Sequence, residues 1–279
     1  MNAEPGTRVQ RAEKQSIEAA AVALRQGGLV AFPTETVYGL GADAGNGEAI
    51  ARLYAAKGRP AFNPLIAHVS DVVAARRIAI FDHDAERLAA AFWPGPLTLV
   101  LPKRPDCGVA DLALAGLDTV AVRVPDHPVA LTLLKAFGGP VVAPSANRSG
   151  HVSPTSAAHV LADLRGLIDL VIDGGLCEVG VESTIVSCLG EPTLLRPGGL
   201  AREAIERVLG HPLAAVVAAG VAGAAHAHAR QPQQVRGGAT ESDSCTRPAK
   251  ARALGLRHIP GTNNDFVRRR RARLAPAER

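Results

Sequence analysis

Aromatic residues are scarce in this chain: two Tyr, one Trp and six Phe in 279 residues, with a single Met. Its core must therefore be filled by Ala, Val and Leu, which dominate its apolar stretches. Cysteine is sparse too. Cys107, Cys177, Cys188 and Cys245 are scattered, no two at CxxC spacing, and no His/Cys group has the spacing of a structural zinc site. The spacing argues against a zinc ribbon, a chain this long needs no disulfide scaffold, and the four thiols read as reduced groups of a reducing compartment. No apolar run reaches the ~18 residues of a spanning helix. The Ala/Val run at 213–225 is 13 residues long. Glu4, Arg8, Arg11, Glu13 and Lys14 precede any apolar stretch, unlike a secretory signal. The expectation is a soluble, cytoplasmic protein without membrane contact. There is no GxxxxGK[ST] and no GxGxxG followed by a distal acid, so a nucleotide, if bound, is held without a P-loop.

Charge is uneven along the chain. The net value is +5, yet from Arg230 onward there are 12 Arg/Lys against four Asp/Glu, while the preceding residues hold 19 against 22. The basic character belongs to the tail and says nothing about the main domain.

Periodicity places a helix at 16–26, with Ser16 as cap, and a short buried strand at 29–32. Further strands are expected at 65–69, 97–101, 120–124, 140–143, 170–172 and 184–187. Helices are expected at 47–57, 84–92, 128–137, 156–164 and 202–209. Short apolar strands interleaved with Ala-rich helices indicate an α/β domain, and the irregular order favours a mixed sheet over a doubly wound one. The domain organisation expected is a flexible N-terminus over 1–15, a catalytic domain over 16–210 and a poorly ordered basic tail over 211–279.

Polar groups collect where strands end, a frequent place for sites in α/β domains. Thr34 and Thr36, with Tyr38, follow the strand at 29–32, where they can bind a polar ligand or cap a turn. Lys57, Arg59 and Asn63 form a cationic segment stiffened by Pro60 and Pro64, suited to phosphate. Lys57 equally complements a helix C-terminus. His68 lies in an apolar strand, as a core histidine or a ligand contact. Ser145 and Asn147 follow the strand at 140–143, and a hydroxyl and an amide two residues apart can hold a nucleotide or make a turn. Glu182-Ser183-Thr184 and Arg196 come later. Arg123, alternating within VAVRV, is a charge in a buried-looking strand and requires a carboxylate from the protein or from a substrate.

Together, PTETVYGL (33–40), KGRPAFNPL (57–65), WPGPLTLVL (93–101), AVRVPDHP (121–128), APSANRSG (143–150), ESTIV (182–186) and LRPGG (195–199) resemble the threonylcarbamoyl-adenylate synthases, the YrdC-like domain. The seven signatures occur in that family's order. The resemblance implies a YrdC-like α/β fold, a twisted mixed sheet with flanking helices around a deep, positively charged cavity. It implies an enzyme that joins L-threonine, bicarbonate and ATP, the latter with Mg²⁺, into threonylcarbamoyl-adenylate and pyrophosphate. A downstream transferase complex would then modify adenosine 37 of tRNA.

Carried onto this sequence, the resemblance implies that Lys57, Arg59, Ser145 and Asn147 form the catalytic nucleotide site, joined by Asn63 and Arg196. It assigns Thr34, His68, Arg123 and Ser183 to threonine and gives Tyr38 a pocket-shaping role. No protein ligand for the metal is assigned. A non-catalytic RNA-binding module of the same fold is the alternative.

The C-terminal region departs from the pattern. After Gly210 come 69 residues, too many for the family's short form and too few for its long one, and the long form's linker signature is missing. Two readings stay open: a basic arm contacting tRNA, or non-native sequence from a frameshift or a degraded domain.

Overall fold

The computed structural model describes residues 6–214 of the chain; Cys245, the RRRR run at 268–271 and the rest of the expected tail beyond residue 214 lie outside the described residues. In chain order the first elements are β1 (Arg8–Arg11), α1 (Lys14–Arg25), β2 (Val30–Pro33), β3 (Tyr38–Asp43), α2 (Gly47–Lys57) and β4 (Ile66–His68). Then come α3 (Val72–Ile78), α4 (His83–Phe92), β5 (Leu97–Pro102), α5 (Asp111–Leu114), β6 (Thr119–Arg123) and α6 (Pro128–Phe137). The last are β7 (Val141–Val142), α7 (Ala157–Leu164), β8 (Leu170–Asp173), β9 (Thr184–Ser187), β10 (Thr193–Arg196) and α8 (Arg202–Leu209).

Helix ends follow local chemistry. Asn46 caps α2 by accepting from Glu48 N (3.0 Å) and Ala49 N (3.1 Å). Pro128 begins α6, where its missing N–H costs nothing, and Ser156 accepts from His159 N to start α7. α1 departs from expectation. It starts at Lys14, before Ser16, because Ile17 N already bonds Glu13 O at 3.0 Å and places Ser16 inside the first turn.

The strands form one sheet in the order β1-β8-β2-β3-β7-β4-β6-β5-β9-β10. Parallel pairs (β1 with β8, β8 with β2, β4 with β6, β5 with β9) alternate with antiparallel ones, so the sheet is mixed as expected. Alternation along the strands sends neighbouring residues to opposite faces. Ala31, Leu99, Leu101 and Val122 face a large core with α2, α4, α7 and α8. Val30, Phe32, Val141 and Ile172 face a smaller core closed by α1 and α6. On that second side, Val100, Ala121 and Ile185 pack only with the strand residues Ile66 and Leu195. Among the described residues, helices thus cover half of this face and none covers the other half, from β4 to β10. His68 and Arg123, paired across β4 and β6, belong to the open half.

Other differences have physical causes. The expected flexible N-terminus contains β1, held by parallel pairing with β8 and by Thr7 Oγ1 donating to Ile168 O at 2.8 Å. The strand carries one apolar residue in RVQR, too little for periodicity to register. β3, where no strand was expected, is a buried strand whose glycines are steric. A Cβ on Gly41 would lie 2.8 Å from Phe32 Cε1. At the other end the domain continues past residue 210, since Leu213 is 3% exposed and its N–H bonds Glu206 Oε1 at 3.0 Å. Among the described residues, no helix is long and apolar enough to cross a membrane.

Candidate active site

Residues 34–37 turn the chain from β2 into β3. Thr34 ties this turn: its Oγ1 donates to Val37 O (2.6 Å) and accepts from the N–H groups of Thr36 and Val37, both at 3.2 Å. Thr34 thus makes the bonds of a turn cap. The turn holds Glu35 and Thr36 against β6. There Arg123 Nη2 donates to Glu35 Oε1 at 2.6 Å and to Thr36 Oγ1 at 2.9 Å, and its Nε donates to Gly95 O at 3.3 Å. Both members of the ion pair are 4% exposed. The carboxylate that Arg123 requires is thus a group of the protein.

α2 ends at Gly58, which separates Lys57 from Arg59 and sends them different ways. Lys57, 2% exposed, donates through Nζ to Ser145 O and Asn147 O, and its own carbonyl accepts from Ser149 N at 2.8 Å. Burial, then the nearby Arg59 charge, push its ammonium down to about 7. Arg59 lines the open cleft instead and donates to Pro64 O at 3.3 Å. Its Nε is buried without a hydrogen-bond partner, and burial lowers its pKa. Asn147 donates through Nδ2 to His151 O (2.7 Å), while its Oδ1 is buried and unsatisfied. Asn63 sits in the turn between Arg59 and Pro64, where its carbonyl accepts from Tyr54 OH at 2.9 Å.

Arg196, at the end of β10, reaches back to the segment before β9. It donates through Nη1 to Glu182 Oε2, and through Nη2 to Ser183 O (2.8 Å) and Ser183 Oγ (3.1 Å). Glu182 Oε1 also accepts from Ser153 Oγ at 2.8 Å. Gly198 permits this approach. A Cβ there would lie 2.3 Å from Glu182 O, far inside van der Waals contact distance.

These groups surround an open cleft with about 490 Å³ of empty space, counting the part open to solvent. Of the residues expected at the site, Arg59, His68, Arg123, Ser145, Ser183 and Arg196 line it, together with Thr36 and Glu182. Lys57, Asn147 and Thr34 are set beneath the lining. Tyr38 stands further back, where its OH donates to Gly175 O at 2.7 Å and accepts from Gly174 N at 3.3 Å. It thereby fixes the chain leaving β8. Burial raises its pKa.

Sequence reasoning gave no role to Glu35 and Glu182, the carboxylates that hold Arg123 and Arg196. The signal was available: each lies in a polar strand-end segment already singled out, and a buried arginine requires an anion.

His68, 2% exposed, shares its Nδ1 with Ile66 O at 3.1 Å. Burial, reinforced by Arg123, pushes its pKa down to about 3, so the folded protein holds it neutral. An unfolded histidine titrates near ~6.5. Its contribution to stability is therefore complete above that value and is lost as pH falls toward about 3. His68→Leu should flatten the acid limb of stability by roughly 1.4 kcal/mol per pH unit over that window, read from urea midpoints. Parallel acid limbs in variant and wild type would refute this account of the buried imidazole.

The Sua5/YciO/YrdC family, described as telomere recombination, matches residues 22–198. The threonylcarbamoyl-AMP synthase of Bacillus subtilis is 52% identical over 196 residues, covering 70% of this chain and 56% of its own length. A putative threonylcarbamoyl-AMP synthase of Mycobacterium tuberculosis is 39% identical over 202 residues, covering 70% of this chain and 90% of its own. The crystal structure of Pyrococcus abyssi Sua5 complexed with L-threonine superposes with a TM-score of 0.70 at 51% identity, covering 74% of this chain and 61% of that one. This chain thus spans somewhat over half the length of the Bacillus subtilis relative, and the family match at 22–198 includes every segment that lines the cleft. With the fold, the ordered signatures and the family match in agreement, the chain belongs to the Sua5/YciO/YrdC family and has its YrdC-like α/β fold.

Proposed function

We propose that this chain condenses L-threonine, bicarbonate or CO₂, and ATP into threonylcarbamoyl-AMP and pyrophosphate. The observation that carries this reading is the cleft itself, where separate strand ends bring Arg59, His68, Arg123, Ser145, Ser183 and Arg196 together over the open half of the sheet. It has two chemically distinct sides. Arg123, neutral His68 and Ser183 offer donors and an acceptor to a small amino acid carboxylate, amine and hydroxyl. Arg59, Ser145 and Arg196 offer a guanidinium, a hydroxyl and a second guanidinium to phosphates. Mg²⁺ enters as part of the Mg·ATP substrate.

The reaction needs position and charge rather than a covalent nucleophile. The threonine amine adds to CO₂ and forms a carbamate, releasing its protons to solvent or buffer. A carbamate oxygen then attacks the α-phosphorus, and the bond to the β,γ-diphosphate breaks, so pyrophosphate leaves. Negative charge spreads over phosphate oxygens, where fixed guanidinium groups act without reorganising. In the free protein much of the cleft's cationic charge is internally paired, Arg123 with Glu35 and Arg196 with Glu182. We read the positive cavity as one whose surplus comes chiefly from Arg59, with Lys57 beneath. Delivery of the product to a transferase complex that modifies adenosine 37 of tRNA completes the proposal.

Mass spectrometry of full-length protein mixed with Mg·ATP, L-threonine and bicarbonate tests it. The expected product is threonylcarbamoyl-AMP, absent when either threonine or bicarbonate is left out. Folded protein that binds double-stranded RNA or tRNA and makes no adenylate would replace this reading with the RNA-binding one.

A further inference from the structure

Glu35 is the one charged side chain of the buried β2–β3 turn, and the turn's backbone is fixed at two places. Val179 N donates to Glu35 O at 2.9 Å and Gly180 N to the next carbonyl, Thr36 O, at 3.0 Å. Its carboxylate holds the end of β6 and the loop that follows it: Oε1 accepts from Arg123 Nη2 at 2.6 Å and Oε2 from Asp126 N at 3.0 Å. Arg123 is held at Nη2 by Glu35 and Thr36 and at Nε by Gly95 O. A guanidinium is planar, so fixing Nη2 and Nε fixes its rotation. Arg123 lines the cleft, and the donors outside this set are those of Nη1.

We propose that Glu35 is a positioning residue for the amino acid substrate, locking the Arg123 guanidinium so that its remaining N–H edge meets the substrate carboxylate. This rests on the threonine-binding reading above. Because Glu35 offsets the charge of Arg123, recognition depends on the direction of the N–H groups more than on net charge. A carboxylate arriving in the plane of the guanidinium is favoured over a spherical or tetrahedral anion. The buried pair therefore acts on selectivity as well as on folding.

Glu35→Asp is the informative change. It keeps the charge that compensates Arg123 but draws the carboxylate back by one methylene, too short to reach both Arg123 Nη2 and Asp126 N. Calorimetry on the full chain should then show L-threonine binding about tenfold weaker, with Mg·ATP binding within about twofold of wild type and a lower but still cooperative thermal transition that shows the variant is folded. In turnover, KM for threonine should rise while KM for ATP holds. Glu35→Gln should show the same split, provided it folds. Threonine affinity unchanged in Glu35→Asp, or threonine and ATP weakened alike, would overturn the positioning role. The wild type separates the two levels of the argument. A wild type that binds Mg·ATP but not threonine removes the threonine reading and this proposal with it, whereas normal wild-type binding with an unaffected Glu35→Asp removes the role of Glu35 alone.

Discussion

Arg123→Ala should lower the thermal midpoint by roughly 6–20 °C, the largest stability effect expected from any single cleft residue. The reason is what it leaves behind. Glu35 is 4% exposed, and without Arg123 its Oε1 loses the 2.6 Å charge-assisted bond, keeping only the Asp126 N–H on Oε2. An ionised carboxylate left in that position is uncompensated, and breaking one side of a buried ion pair costs about 3–5 kcal/mol. Thr36 Oγ1 and Gly95 O lose a donor in the same step. Replacing both charges tests the cause: Glu35→Gln introduced into Arg123→Met should recover part of the loss, because no naked charge remains. Scanning calorimetry reads both. A midpoint for Arg123→Ala within about 2 °C of wild type would mean that the pair is solvated and contributes little.

The same pair marks the limit of what the sequence alone reveals. Helix boundaries were legible wherever the ends carry their own chemistry. α2, between Asn46 and Gly58, and α6, between Pro128 and Gly138, fall at the expected residues. Buried strands such as β5 and β9 announced themselves as apolar runs. β1 did not, since three of the four residues in RVQR are polar or charged and its place depends on β8, some 160 residues later. β3 did not, because Gly39 and Gly41 read as loop until Phe32 and Ala143 are seen filling the space a Cβ would take. Both failures concern information held by tertiary neighbours.

The site divides along the same line. Polar residue types and the ordered signatures pointed to Arg59, His68, Arg123, Ser145, Ser183 and Arg196, which do share a cleft. Direction was not legible. Lys57 and Arg59 stand two residues apart, and sequence offers no reason to send one beneath the cleft and the other into it. The turn after α2 does so. Thr34 and Thr36 are also two apart, yet Thr34 spends its hydroxyl on Val37 O while Thr36 faces the cleft and meets Arg123. Pairing was legible only in part: Arg123 called for an anion, but that Glu35 meets Arg123 and Glu182 meets Arg196 depends on tertiary neighbours.

Lys57→Met should reduce kcat/KM for Mg·ATP by about 100-fold or more, and the manner of the loss distinguishes a strut from a phosphate ligand. Lys57 Nζ joins the carbonyls of Ser145 and Asn147, the two residues whose side chains we propose for the nucleotide site. Met fills similar space without a donor, so two carbonyls lose their bonds and the loop carrying Ser145 and Asn147 shifts. Displacement of a positioning group by about 1 Å is enough for a loss of this size. Hydrogen exchange should show faster amides over 145–149 in the variant. The pH profile is more telling, because burial holds the Lys57 ammonium at about 7. A neutral amine still has two N–H donors, one for each carbonyl. If Lys57 is a strut, wild-type affinity for Mg·ATP persists as pH rises from 7 to 9. If its charge binds phosphate directly, affinity declines through that range, and the decline disappears in Lys57→Met. A falling wild-type profile with unchanged exchange in the variant would therefore return Lys57 to the phosphates and leave the loop to hold itself.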